Sequence, residues 1–307
     1  MDNILITGNL GYLGSNFIKM RTVNKYDMIM YDISQNDIFE NKYKCDILNM
    51  ELLEKYFLKF KPIMIIHFAD IENENCKDAF RTNVIGTLNI LKLMVKYDCK
   101  KIIFKSTDKV YESKFILLDT LKENDHVILS SKSRSQIPYG IQKILCENVI
   151  EYFCEKYSIN CNIIRFCNVL GGLHKFDDEF IINIMLGISD INYENLYDVI
   201  SIKDAVIAID NCMLDLLLHD DKFKIICLTS GKIITETYLK LLLKNTLFVN
   251  HKFNYKIKFE KLRTVSYSRI FSNRNIYKKC VFNFREYESD YISYLKNTIN
   301  NIFLVNF

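Results

Sequence analysis

No stretch of this chain approaches the run of about 18 apolar residues that a helix needs to cross a bilayer, which excludes a helical membrane span. The first strand-like run opens at Asn3, so no secretion signal is expected ahead of it and the expected location is the cytoplasm. None of the ten cysteines (Cys45, Cys76, Cys99, Cys146, Cys154, Cys161, Cys167, Cys212, Cys227 and Cys280) forms a CxxC pair. They are scattered through apolar segments, so reduced core thiols are expected and neither disulfides nor a metal site is. There is no internal repeat and no low-complexity linker. Proline occurs only twice, alongside abundant Asn, Lys, Ile and Tyr, a compositional bias without mechanistic content. Charge of one sign is also lacking: 41 basic against 37 acidic residues leave a formal net charge of +4, too little to argue for nucleic acid. What remains is a 307-residue chain, 49% hydrophobic and 25% charged, which suits one large α/β domain with a smaller lobe.

Apolar runs alternate with helical patterns. Strands are expected at Ile4–Thr7, Met28–Tyr31, Pro62–Phe68, Lys101–Phe104 and Cys161–Phe166, with helices at Ala79–Lys96 and Pro138–Tyr157. This alternation predicts a doubly wound parallel sheet, a Rossmann-type α/β fold. After about residue 170 the pattern loosens, so residues 1–170 are read as the nucleotide-binding domain. Residues 171–307 are read as a smaller α/β substrate-binding lobe, partly interleaved with the sheet.

Two motifs carry chemistry. The first strand runs into Gly8-Asn9-Leu10-Gly11-Tyr12-Leu13-Gly14, a GxxGxxG turn that opens a helix. Glycines let backbone amides approach a pyrophosphate, and a helix N-terminus adds a favourable field, so Gly8, Gly11, Tyr12, Leu13 and Gly14 are candidate dinucleotide contacts. Asp32 ends the second strand, where a carboxylate accepts hydrogen bonds from an adenosine ribose and repels a 2′-phosphate, favouring NAD over NADP. Asp46-Ile47, after a third short strand, is a candidate adenine contact. The second motif is Tyr139-Gly140-Ile141-Gln142-Lys143. Tyrosine and lysine four apart share a helix face, and an ammonium beside a phenol lowers the phenol pKa. Such a tyrosine can move a sugar-hydroxyl proton while hydride moves to or from nicotinamide, with Lys143 also holding the nicotinamide ribose. Residues 250–285 are rich in Lys and Arg without a nucleic-acid motif. That stretch is read chiefly as a solvated face, with Arg263 and Arg269 as candidates to clamp a substrate pyrophosphate.

With these motifs in this order, the chain resembles the extended short-chain dehydrogenase/reductase family, specifically the NAD-dependent epimerase/dehydratase enzymes acting on nucleotide sugars. The stretches that carry the resemblance are Gly8–Gly14, Asp32, Asp46-Ile47, His67-Phe68-Ala69, Asn83–Thr87, Ser106–Tyr111, Pro138–Lys143 and Arg165–Gly171. The resemblance implies Tyr139 as the catalytic base, Lys143 as its partner and Thr107 as the hydroxyl that hydrogen-bonds the reacting oxygen. Phe68, Ala69 and Asn83 join the cofactor-binding set, Asn168 is implied at the substrate diphosphate, and a homodimer built on helices 79–96 and 138–157 is implied. Asp108 and Lys109 resemble the acid and base of a 4,6-dehydratase branch. The expected function is therefore C4 oxidation of a nucleotide-diphosphate sugar followed by loss of water. The alternatives are a 4-epimerase, a C4 oxidase or reductase, and a non-enzymatic NAD-binding regulator. Four places depart from the family pattern: the segment between His67 and Asn83 is about five residues short, Asp70 replaces the usual second alanine, Tyr197-Asp198-Val199-Ile200 lacks the usual arginine, and segment 112–137 before Pro138 is atypical in composition.

Overall fold

The computed structural model describes residues 2–21, 26–33, 42–72, 77–111, 139–170, 194–219, 223–229, 233–235 and 265–266. These fall into two compact units: those up to residue 166 together with 206–227, and those of 167–205 and from 228 onward.

The first unit is built on a sheet of β1 (Asn3–Thr7), β2 (Asp27–Asp32), β3 (Lys42–Lys44), β4 (Met64–His67), β5 (Lys101–Thr107), β6 (Asn160–Phe166) and β9 (Phe223–Leu228). Their spatial order is β3-β2-β1-β4-β5-β6-β9, and every pairing from β3 to β6 is parallel. Helices α1 (Tyr12–Met20), α2 (Met50–Phe60), α3 (Thr87–Lys96) and α4 (Tyr139–Tyr157) connect them. The strands are apolar on both faces because both faces are covered: Ile4, Leu5 and Ile6 are each fully buried, and all seven residues of β6 are buried. One layer of core joins Leu5, Ile65, Ile102 and Ile163 of the sheet to Leu53 and Phe57 of α2, Leu91 and Met94 of α3, and Ile150 of α4. Each such side chain stabilises the fold by roughly 1.5–3 kcal/mol. The order reverses at β1, whose neighbours are β2 and β4, and this reversal opens the crevice in which doubly wound sheets bind ligands.

The α/β fold expected from the alternation is the fold observed. Helix α2 is an element the apolar runs alone do not announce; the Asn49 side chain caps it by accepting from Leu52 N, and Lys61 ends it at φ 45°. The helix expected over Ala79–Lys96 is irregular: residues Arg81–Gly86 form a π-helical turn before α3 begins. Thr87 Oγ1 donates to the Asn83 carbonyl at 2.6 Å, a side-chain bond that competes with the regular helical ladder at that turn. None of the eight described cysteines is in a disulfide, and seven of them are buried. Burial pushes the thiols of Cys45 and Cys99 up to about 12, so they behave as inert core residues. No group of three potential metal ligands occurs among the described residues. No helix among them is long and apolar enough to cross a membrane.

The second unit contains β7 (Asn168–Leu170), β8 (Glu194–Ser201), β10 (Ile233–Thr235) and β11 (Val265–Ser266). β8 pairs parallel with β7 and β11 and antiparallel with β10. After β8, helix α5 (Ile202–Leu218) starts with Asp204 N donating to Ser201 Oγ and buries Ala205, Ile209, Met213 and Leu216 at helical spacing.

Candidate active site

The turn after β1 folds tightly on itself. Gly8 sits at φ +69°, and a Cβ there would lie 2.5 Å from Ala69 N, so only glycine fits. A Cβ on Gly14 would lie 2.3 Å from the Gly8 carbonyl, which fixes how closely α1 approaches the turn. Gly11 N donates to Gly8 O at 3.2 Å, and the Asp32 carboxylate accepts from Leu10 N at 3.0 Å, tying the end of β2 to the turn. Helix α1 carries no acidic residue in its first turn and no side-chain cap at Gly11, so its end suits an anion. Asp46 is exposed, and its carboxylate accepts from Leu48 N. Ile47 is buried against Gly86, where a Cβ would meet its side chain at 2.4 Å. Phe68 is buried edge-on against Phe17, with ring centroids 5.8 Å apart.

His67 locks the ends of β1 and β4 to the π-helical turn. Thr87 Oγ1 spends its proton on the Asn83 carbonyl, so it accepts from His67 Nε2 at 3.0 Å. His67 Nδ1 is then the acceptor for Thr7 Oγ1 at 2.6 Å, and Thr7 Oγ1 in turn accepts from Ala69 N. Burial first, and the neighbouring Lys143 ammonium second, push His67 down to about 3, so the ring is neutral. This assigns His67 a structural role.

Tyr139 begins α4, and its position follows from Gly140. A Cβ on Gly140 would lie 2.1 Å from the Lys109 carbonyl, so the absent side chain lets α4 dock directly on the 3₁₀ turn Asp108–Val110 at the end of β5. Tyr139, Lys143 and the Thr107–Lys109 turn are thereby brought together. Thr107 is buried; its Oγ1 donates to Asp108 Oδ1 and accepts from Lys109 N. The Lys109 ammonium is 5.5 Å from the centre of the Tyr139 ring. Lys143 is buried, donates to the Lys105 carbonyl at 2.9 Å and lies 4.7 Å over the Phe104 ring.

At the centre of these groups is Asp70, whose side chain is 7% exposed. Its Oδ2 accepts from Tyr139 Oη at 2.5 Å and from Lys143 Nζ at 2.8 Å. Lys105 Nζ reaches both carboxylate oxygens at 3.0 Å and also pairs with the exposed Glu72 at 2.7 Å. Burial opposes the charge on Asp70, but Lys105 and Lys143 outweigh it and hold the carboxyl well below its usual range. Burial likewise opposes the charge on Lys105, and Asp70 with Glu72 raises it above the usual lysine value. The Tyr139 phenol is pushed well up, by burial first and then by Asp70 and Glu72. This is opposite to the lowering expected from the Tyr–Lys spacing alone, because burial first and the carboxylates second favour the protonated phenol.

Asn83 is buried and braces the site: its side chain bonds both the amide and the carbonyl of Ile71 and donates to Gln142 Oε1 at 2.7 Å. Behind β5, Glu147 holds Arg165 through two bonds of 3.1 and 2.6 Å and accepts from Ser106 Oγ. Arg165 also donates to Tyr111 Oη at 2.6 Å. Asn168 is exposed on β7 in the second unit, and Arg263 and Arg269 lie outside the described residues. The residues that motif reading did not place in the site are Asp70, Lys105 and the Glu147–Arg165 pair. For Asp70 the available signal was its departure from the expected alanine.

A sequence pattern described as the NAD dependent epimerase/dehydratase family matches residues 4–215. A "Putative UDP-glucose 4-epimerase" of Methanocaldococcus jannaschii is 32% identical over 180 residues, covering 55% of this chain and 56% of that protein. A "dTDP-D-glucose 4,6-dehydratase" of Dictyostelium discoideum is 26% identical over 244 residues, covering 67% of this chain and 56% of that protein. The matches thus span about half the length of these curated relatives. Among solved structures, the dTDP-glucose 4,6-dehydratase of Bacillus anthracis in complex with NAD superposes with a TM-score of 0.76 at 20% identity, over 97% of each chain. At that identity the superposition speaks for the fold.

Proposed function

The chain belongs to the NAD dependent epimerase/dehydratase family, and on that premise we propose that it oxidises the C4 hydroxyl of a nucleotide-activated sugar and then eliminates water, as a 4,6-dehydratase. NAD is the cofactor of the family. The residues fit it: the Gly8 and Gly14 positions leave room only for backbone, α1 offers an uncapped N-terminus, and Asp32 stands beside the turn for the adenosine ribose. Gly11, Tyr12 and Leu13 would line the pyrophosphate and Asp46-Ile47 the adenine, with Phe68, Ala69 and Asn83 shaping the nicotinamide end. When bound, NAD supplies the hydride acceptor. Tyr139 takes the proton of the C4 hydroxyl, Thr107 donates a hydrogen bond to the same oxygen, and Lys143 orients the ribose and the phenol.

The observation that carries the dehydratase reading is the docking of α4 on the Thr107–Asp108–Lys109 turn. It brings the turn that carries Asp108 and Lys109 against the helix that starts at Tyr139, which supports reading the pair as acid and base. In this reading one of the pair removes the C5 proton and the other protonates the C6 hydroxyl, which leaves as water; the hydride taken from C4 would then be returned at C6, so that the net change is the loss of one water. Asn168 and the arginines at 263 and 269 are assigned to the substrate diphosphate. A 4-epimerase is the second reading, favoured by the similarity to the "Putative UDP-glucose 4-epimerase" of Methanocaldococcus jannaschii. A homodimer through the π-helical turn with α3 and through α4 fits the exposure of Ile85, Leu145 and Tyr152, the last two sharing one face of α4.

The test is incubation of the protein with NAD and a panel of nucleotide hexoses and heptoses, followed by mass spectrometry. A product lighter by one water supports the dehydratase. An unchanged mass with inverted sugar stereochemistry establishes the epimerase instead.

A further inference from the structure

Asp70 has no place in the reaction as proposed, yet it joins three of the side chains around the site. One carboxylate, 7% exposed, receives the Tyr139 hydroxyl, the Lys143 ammonium and the Lys105 ammonium. These come from two separate elements, α4 and β5, and Asp70 itself lies in the segment after β4. We propose that Asp70 is a positioning residue for proton transfer: it holds the Tyr139 phenol protonated and oriented, so that the phenol must release its proton before it can take one from a sugar hydroxyl. This rests on the reading of Tyr139 as the proton-transfer group.

The argument is one of charge and donor count. The groups facing the phenol are Lys143 and Cys146 from α4, Lys105 from β5, Lys109 from the 3₁₀ turn, and Asp70 and Glu72 from the segment after β4. Cys146 is neutral, its thiol pushed up to about 11 by burial. Lys105 bonds both Asp70 and Glu72, and Lys143 bonds Asp70, so the two carboxylates offset most of the positive field that the three lysines set at the phenol. A carboxylate cannot donate, so the bond between Asp70 and Tyr139 exists only while the phenol keeps its proton. Lys105 and Lys143 in turn keep Asp70 ionised, so it is a poor acceptor for that proton. To oxidise a sugar, Tyr139 must first lose its proton to solvent. The phenolate then accepts the hydroxyl proton while the hydrogen on C4 leaves with its bonding pair to the cofactor. In the reverse direction the protonated phenol is already in place and delivers its proton to the carbonyl oxygen as hydride returns. Removing the Asp70 charge leaves both lysines beside the phenol and favours ionisation; each pKa unit gained raises the ionised fraction about tenfold.

The test needs no nucleotide. The protein is labelled at the tyrosine Cζ, Tyr139 is assigned by comparison with Tyr139→Phe, and its resonance is titrated with pH in the wild type, Asp70→Asn and Glu72→Gln. Asp70→Asn keeps the shape and removes the charge. Glu72→Gln changes an exposed side chain that leaves the buried cluster intact. The expected result is a wild-type Tyr139 that stays protonated above the usual phenol value of about 10, a fall of at least about one unit in Asp70→Asn, and a smaller fall in Glu72→Gln. A wild-type phenol that titrates at or below the usual value, or one unmoved by either substitution, overturns the proposal. With a substrate in hand, the pH profile of C4 oxidation should shift toward neutral in Asp70→Asn. Absence of turnover with every nucleotide sugar would count against the substrate reading, while the phenol titration would still decide the role of Asp70.

Discussion

Acid should loosen this protein through His67. The ring is 1% exposed, accepts from Thr7 and donates to Thr87, so a second proton would break the bond from Thr7 and place a charge in a dry site beside Lys143. In the fold its pKa is lowered to about 3, against 6.5 when unfolded. Because the folded value is the lower one, the unfolded chain takes up the proton first. This contribution is constant above about pH 6.5 and falls as pH drops toward about 3. Each pH unit inside that window costs about 1.4 kcal/mol, so at about pH 4.5 the loss is roughly 2–3 kcal/mol, a large share of a typical folding free energy. The assay is urea denaturation from about pH 7.5 to about 4.5 for the wild type and His67→Gln. The variant lacks the lost bonds at every pH, so it starts less stable. The wild type should lose roughly 2–3 kcal/mol more than the variant across the series. Parallel pH dependences would refute the account of a neutral, buried His67.

Three further outcomes follow from the geometry. Gly140→Ala drives a methyl against the Lys109 carbonyl; it should cost about 1–3 kcal/mol in thermal or chemical unfolding and lower turnover by more than tenfold through misplacement of Tyr139. Glu147→Ala leaves the Arg165 guanidinium buried and uncompensated and should destabilise by about 3–5 kcal/mol, whereas a Glu147→Met, Arg165→Met double variant should be less unstable than the single one. Asp32→Ala should relax discrimination against NADP in a direct binding titration, and unchanged discrimination would remove Asp32 from the ribose position.

The elements legible in the sequence are those dictated by local chemistry. The strand, glycine turn and helix at the N-terminus follow from apolar runs and from positions where only glycine fits, and the strands of the parallel sheet follow from continuous β-branched stretches. The π-helical turn at Arg81–Gly86 accompanies one local bond, from Thr87 to the Asn83 carbonyl, and distant ones from Asn83 to Ile71 and Gln142, which no local pattern marks. The site shows the same division. The Tyr139–Lys143 pair is a helix spacing and can be read directly. Asp70 meets Tyr139 across 69 positions of chain, so its effect on the phenol is invisible until the sheet and α4 bring the two together. The Glu147–Arg165 pair joins a helix to the strand that follows it, and nothing in the spacing marks it as a buried ion pair.

The most direct test of the account is the absorbance of reduced nicotinamide in the protein with NAD as nucleotide sugars are added, comparing the wild type with Tyr139→Phe. The account predicts that the signal appears with at least one nucleotide sugar in the wild type and is largely lost in Tyr139→Phe, which still binds NAD. A signal of equal size in both proteins, or neither a signal nor an altered sugar in the wild type with any donor, would contradict it.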